Sequence, residues 1–344
     1  MSSKSAIDVL RDKVGGKWPA IYQSIERSRE KKQILLDLFS RGEKPDSAER
    51  SVVAFGSVGR DEWTSGSDLD WTLLIDGMAD PAHLPIAQEI TVKLHAAGFK
   101  KPGQTGVFGN LAFGHEIIHR IGGENDTNRN TTQRVLLILE SAVIGTHAEA
   151  YSRVVRHVFS RYLEEETGLP DVTGNHKVPR FLLNDIVRFW RTMAVDFASK
   201  QRERAGQGWG LRNAKLRMSR KLIFASGLLM CFSCSFIPEK DSLLEHLIEL
   251  SEKTPLEKVA DTLLIQGASD ETALKIFNAY DQFLGILDQN DIREELENLT
   301  ADNAADNGTF SRVRTISNDF QTGLNELFFD NRRLGPLTIK YGVF

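Results

Sequence analysis

Asp68 and Asp70 are the residues in this 344-residue chain best placed to do chemistry. They lie in SVVAFGSVGRDEWTSGSDLDWTLLID, residues 51–76. In an extended segment, residues two apart point to the same side, so the two carboxylates aim at one point. Such a pair repels itself unless a cation or a proton relieves it. Hard oxygen ligands suit Mg²⁺ or Mn²⁺, and such an ion would also hold a nucleotide's phosphates. Gly56 and Ser57 precede the pair and form a turn that offers backbone N–H groups and a hydroxyl to an anion. Arg60 completes the spacing G-S-x-x-R-x(7)-D-x-D, and Ser67, directly ahead of Asp68, is a further nucleotide-binding candidate.

The elements around the pair must aim it. Val52 to Phe55 is a short β-branched, apolar run, and Trp71 to Ile75 is a second. The pattern predicts strand, glycine turn, exposed loop, two carboxylates, strand. Residues 1–45 read as helical, with Pro19 at a first turn and Ile21, Ile25, Ile34, Leu35 and Leu38 as a buried stripe. A helix is expected over Ala82–Ala97, with Leu84, Ala87, Ile90, Val92 and Leu94 apolar and Gly98 as its cap. GFKKPGQTGVFGN reads as a loop and LAFGHEIIHRI as a strand. Beyond Asn130 the pattern is helical, including a long helix striped by Leu182, Ile186, Phe189, Met193 and Phe197. The final LTIKYGVF alternates like a short strand. The expected fold is therefore α/β plus α. A small mixed-sheet domain with its N-terminal helices, residues 1–130, packs against a helical region, residues 131–344.

The segment GSVGRDEWTSGSDLDWTLLI resembles the signature of nucleotidyltransferases of the DNA polymerase β-like superfamily. With R-D-E inside the loop, it looks closest to PII-uridylyltransferase-type proteins. TTQRVLLILESAVIG is also similar to the segment that follows the catalytic domain there. The resemblance implies that Asp68 and Asp70 bind two Mg²⁺ ions and that Gly56 and Ser57 hold the β- and γ-phosphates of an NTP. An acceptor hydroxyl would attack the α-phosphorus and pyrophosphate would leave. A third carboxylate on a later strand is also implied, and Glu116 is preferred over Asp126 because a strand could aim it. The acceptor could be a protein side chain, an RNA end, a small molecule or another nucleotide.

Lys200–Lys221 carries eight basic residues against Glu203 in a protein of net charge −4. Arg217, Arg220 and Lys221 share a face at helical spacing. This run is either a cationic wall for a triphosphate or RNA, with Lys215 and Lys221 as phosphate contacts, or a solvated helix paired with acidic neighbours. HEIIH, with His115 and His119, matches the letters of a zinc motif, but its glycine-bounded, β-branched setting disfavours zinc hydrolysis. DLDWT fits the opening of a haloacid-dehalogenase phosphatase, yet the apolar strand follows the carboxylates instead of preceding them. Asp185 and Asp196 read as ion-pair partners of Arg188 and Arg191. Cys231 and Cys234 read as buried thiols, which makes a reducing cytoplasm the default. No stretch approaches the ~20 apolar residues of a membrane span. The other classes left open are a catalytically silent nucleotide sensor and an antitoxin-like partner protein.

Overall fold

The two apolar runs flanking the carboxylates are the centre of a four-stranded mixed sheet. We describe a computed structural model over residues 4–100, 102, 107–164, 174–203 and 207–343. Strand β1 is Arg50–Phe55 and β2 is Asp70–Ile75, paired antiparallel with Phe55 opposite Asp70. β3, Asn110–Phe113, runs parallel to β2. β4 is only Ala142–Val143 and pairs antiparallel with β1, giving the order β3-β2-β1-β4.

The helices follow in chain order. α1 is Ala6–Val14, α2 is Pro19–Ser40, α3 is the single turn Gly56–Gly59, and α4 is His83–Ala96. α5 is Gly114–His119, α6 is Asn128–Leu139, α7 is Glu149–Glu164, and α8 is Arg180–Glu203. α9, Trp209–Lys215, runs through a π turn, Leu216–Arg220, into α10, Lys221–Ser233. α11 is Leu243–Ser251, α12 is Pro255–Ile265, α13 is Asp270–Asp288, and α14 is Asn290–Asn298. α15 is Gly308–Asn325 and α16 is Leu334–Thr338. A small mixed sheet against a largely helical C-terminal region is the architecture expected from the sequence.

Side-chain alternation gives the sheet two different faces. Val52, Ala54, Trp71, Leu73 and Ile75 pack with Leu35 and Phe39 of α2 and Ala87, Ile90 and Leu94 of α4. Val53, Phe55 and Leu74 join the larger core that runs into the helical region. Asp70 has the parity of Leu74, so its carboxylate leaves the sheet on the side of the helical region.

The N-terminal helices are fastened to helices far along the chain. Trp18 is 1% exposed. Its indole donates to Asn278 Oδ1 at 2.9 Å, and its ring lies 4.5 Å from that of Phe277. The Ile21 N–H donates to Asp281 at 3.0 Å, and Arg27 pairs with Asp288. All four partners belong to α13. Cys231 and Cys234 are buried free thiols, and burial pushes the Cys234 thiol up. Among the described residues no helix is long and apolar enough to cross a membrane.

Several local expectations are corrected. Ile34, Leu84 and Val92 are exposed, because the packed stripes use Ser24 and Ser28 on α2 and only Ala87, Ile90 and Leu94 on α4. LAFGHEIIHRI is not one strand. β3 stops at Phe113, and a Cβ at Gly114 would lie 2.8 Å from Val154 of α7, so the chain turns there into α5. Leu337–Val343 of LTIKYGVF is helical, with the Thr338 hydroxyl bonded to the Phe328 and Leu334 carbonyls, and Phe344 lies outside the described residues. The segment has no neighbouring strand among the described residues to reward its alternation.

Candidate functional site

The site grows from the end of β1. There the chain enters α3 through Gly56 at φ +66°, a conformation that costs glycine nothing. A Cβ on Gly56 would stand 3.2 Å from Asp70 Oδ2, so the turn closes directly on the second carboxylate. Gly59 ends the turn against other backbone: its Cβ would lie 1.9 Å from the Glu140 carbonyl oxygen. This contact locks the Gly-Ser turn to the junction between α6 and β4.

The loop that follows is built on charge. Asp61 takes φ +59°, which aspartate tolerates, and Lys32 holds its carboxylate at 2.6 Å. That left-handed step leaves Arg60 and Glu62 able to meet. Arg60 Nε donates to Glu62 Oε2 at 2.7 Å, and Nη1 donates to Glu140 Oε2 at 2.5 Å. The Tyr280 hydroxyl of α13 donates to the other Glu62 oxygen at 2.7 Å. Burial pushes the Glu62 carboxyl up, and Arg60 pulls it back. Burial opposes the Arg60 charge, but Glu62 and Glu140 hold the guanidinium well above its ordinary value. Ser67 Oγ accepts from the Thr64 N–H at 3.0 Å and tightens the approach to Asp68. The Arg293 side chain passes so close over Gly66 that a Cβ there would be 2.4 Å from it.

These residues line a cavity of about 370 Å³ between sheet and helical region. Gly56, Ser57, Arg60, Ser67, Asp68 and Asp70 line it from the sheet side. Glu140 lines it from the end of α6. Lys215, Ser219, Arg220 and Arg293 come from the helical region, and Arg129 from the first turn of α6. Phe108, Leu136, Phe189, Met193 and Ile223 give it an apolar wall. Neither the Asp68 nor the Asp70 carboxylate has a hydrogen bond or ion pair among the described residues. Burial first, then Asp68, then Glu140, raise the Asp70 carboxyl to about 7. Burial, then Arg293, lower the Lys215 ammonium to about 8, with Asp68 opposing. The cavity thus holds crowded charges of both signs, with the Asp68 and Asp70 carboxylates unpaired among them. That is the field a magnesium–triphosphate would relieve.

The π turn explains which basic residues enter. In a regular α-helix, positions five apart diverge by about 140°. A π turn bonds i to i+5 and brings them back together. Lys215 and Arg220, five apart across it, both line the cavity. Lys221, expected there from regular spacing, instead bonds Gln321 of α15 and does not line it. Arg217 bonds Asn213. Arg204 lies outside the described residues.

Two further expectations are corrected. Glu116 sits on α5, not on a strand, and its half-exposed side chain pairs with Arg120 at 3.0 Å, outside the cavity. Asp126 is held by Arg134 at 2.8 Å and Arg188 at 3.3 Å in a buried cluster. Asp185 also joins that cluster, bonded to Arg134 and Tyr162 and not to Arg188. Asp196 lines the cavity and opposes the loss of charge that burial imposes on Arg220.

Glu140 is a cavity-lining carboxylate that the sequence reading does not single out. LLILESAVIG reads as uninterrupted helix, and only the pairing of the two-residue β4 with β1 brings Glu140 to the end of β1 and into the cavity wall. Glu116→Gln is accordingly expected to leave catalytic rates within about twofold, since an exposed i,i+4 pair is worth only about 0.3–0.5 kcal/mol. Steady-state assays of the two glutamate variants check this, with Glu140→Gln as the impaired one.

HEIIH lies on a six-residue helix, its rings 4.7 Å apart. Among the described residues no group of three or more His, Cys, Asp or Glu is disposed to hold a metal ion. The carboxylates nevertheless suit a divalent cation: Asp68 and Asp70 are unpaired and crowded, while Glu140 is turned to Arg60.

The family model described as "Putative nucleotidyltransferase DUF294" matches residues 24–110, about a quarter of the chain. That span holds most of α2, and all of β1, the Gly-Ser turn, both aspartates and β2, and it links the segment to nucleotidyltransferases in general. No curated protein matches the chain.

Proposed function

We propose that the protein is a metal-dependent nucleotidyltransferase that moves an NMP from an NTP to an acceptor hydroxyl and releases pyrophosphate. One observation carries this reading: the unpaired Asp68–Asp70 couple abuts the Gly56–Ser57 turn in a cavity that also exposes Lys215 and Arg220. Asp68 and Asp70 would hold Mg²⁺ or Mn²⁺, with Glu140 joining them only by turning from Arg60, and the ion would supply charge neutralisation at the attacking and leaving oxygens. Gly56 and Ser57 would hold the terminal phosphates through backbone N–H groups and the free hydroxyl. Lys215 and Arg220 would neutralise the triphosphate from the helical region, and the apolar wall with Phe108 and Phe189 would shelter the base. The nucleotide-holding unit would be residues 1–130 completed by β4, and the rest of the chain would supply the cationic wall. The R-D-E form of the signature points towards PII-uridylyltransferase-type relatives, and two buried unbridged thiols suit a cytoplasmic setting.

The deciding experiment incubates each α-labelled NTP with Mg²⁺, cell extract and either unmodified protein or Asp68→Ala/Asp70→Ala. Label passed to an acceptor by the unmodified protein alone supports the reading. Tight NTP binding with no transfer across a broad acceptor set would instead make the protein a nucleotide sensor. Lys215→Met is expected to weaken NTP binding roughly 10- to 100-fold, the worth of one charge-assisted hydrogen bond. Mn²⁺ binding without nucleotide should survive that substitution, and calorimetry of both ligands separates the two effects.

A further inference from the structure

Arg60 poses a problem for its own signature. Its position suggests a phosphate ligand, yet Nε and Nη1 of its guanidinium are each bonded to a carboxylate. The two bonds differ in kind. The Nε bond goes to Glu62, which also lines the cavity but has both oxygens held, one by Arg60 and the other by the Tyr280 hydroxyl. The Nη1 bond goes to Glu140, the carboxylate that crowds Asp70 in the cavity. One arm is therefore anchored in the protein, while the other neutralises a group that a metal ion would claim.

We propose that Arg60 is the resident counter-ion of Glu140, competing with a divalent metal for it. Once the metal takes Glu140, the Nη1 arm is released into the cavity as a phosphate ligand, with Nε still fixed on Glu62. The inference rests on the reading of Glu140 as the third metal carboxylate. A buried carboxylate without a cation is costly, so the arm stays on Glu140 until another cation arrives. Metal and nucleotide are thereby coupled through one side chain: the phosphate donor is exposed only when the metal is in place. Glu62 and Tyr280 act as positioning residues that keep the arm within reach of either partner.

Titration of nucleotide-free protein with Mn²⁺, followed by the EPR signal of free ion, tests this without any turnover. Arg60→Gln is expected to tighten Mn²⁺ binding roughly 5- to 150-fold, the usual range of coupling between sites. Glu140→Gln should weaken it, and Arg60→Gln/Glu140→Gln should bind no tighter than Glu140→Gln alone. Unchanged or weaker binding by Arg60→Gln overturns the proposal. Tightening that persists without Glu140 also overturns it, because Arg60 would then act only as a distant positive charge. If Glu140→Gln leaves Mn²⁺ affinity intact while Asp70→Asn lowers it, the assignment of Glu140 itself has failed. A measurement on the unmodified chain does not depend on the variants folding. Mg²⁺ should perturb the Arg60 ¹⁵Nη resonance and leave its ¹⁵Nε, held by Glu62, in place. No change at Nη, or equal movement of both, counts against the handover.

Discussion

Asp70→Asn is expected to abolish most nucleotidyl transfer, by roughly 10²- to 10³-fold, and at the same time to raise the melting temperature of the metal-free protein at pH 8. The two effects have one cause. Folding places the Asp70 carboxyl beside Asp68 and Glu140 and raises it from 3.8 to about 7, with burial the largest contribution. Between those pH values the folded chain keeps a proton that the unfolded chain releases. Stability therefore falls as pH rises through this window, and above pH 7 the full penalty is present. Asparagine has no charge to penalise. The variant should match the unmodified protein near pH 3–4 and exceed it at pH 8. Mg²⁺ should narrow the gap by relieving the repulsion in the unmodified chain alone. Thermal unfolding from pH 4 to 8, with and without Mg²⁺, checks both signs. A variant no more stable than the parent at pH 8 would refute the assigned crowding.

Gly59→Ala should be the most damaging small substitution in the loop, costing about 3 kcal/mol, at the upper end of ordinary overpacking. The new Cβ would stand 1.9 Å from the Glu140 carbonyl oxygen and 2.8 Å from its carbon. Both are backbone atoms, so no rotamer change makes room. Gly59 has no left-handed φ, and the damage comes from contact alone. The junction that must yield carries Glu140, so Arg60 loses its partner and the turn below Asp70 loses its floor. Gly308→Ala, where nothing lies within 4 Å of the added carbon, serves as the control and should stay within about 0.5 kcal/mol of the parent. Urea midpoints of the two variants make the comparison. Equal midpoints would mean that α3 and the α6–β4 junction are not packed as described.

What could be read from the sequence was what short-range geometry decides. Asp68 and Asp70 are set by their own spacing and by the strands on either side, so no distant residue was needed to find them. Glu140 could not be found in that way. It closes a helix and precedes a two-residue strand, and only sheet pairing across nearly ninety residues of chain brings it to β1. Lys215 and Lys221 show a different failure. Both lie in the expected basic stretch, but the five-residue turn between α9 and α10 changes the period on which a face is counted. Glu116 was misplaced because β-branched letters favour a strand, and Gly114 overrides them through its close approach to α7. The helical character of the C-terminal region was legible throughout. Its docking onto the N-terminal helices was not, because amphipathic stripes do not name their partners.

That docking has a consequence for how the chain is made. Trp18 emerges from the ribosome early, while Phe277, Asn278 and Asp281 follow some 260 residues later. At a synthesis rate of about 5–20 residues per second, the wait is roughly 13–50 seconds. During that time α1 and α2 have no native surface for Trp18 and Ile21, and Arg60 and Glu62 lack the Tyr280 hydroxyl that completes their network. The segment that carries Asp68 and Asp70 is thus translated long before it can be assembled, and the nascent chain must carry an unpaired tryptophan and a half-built charge cluster until α13 arrives.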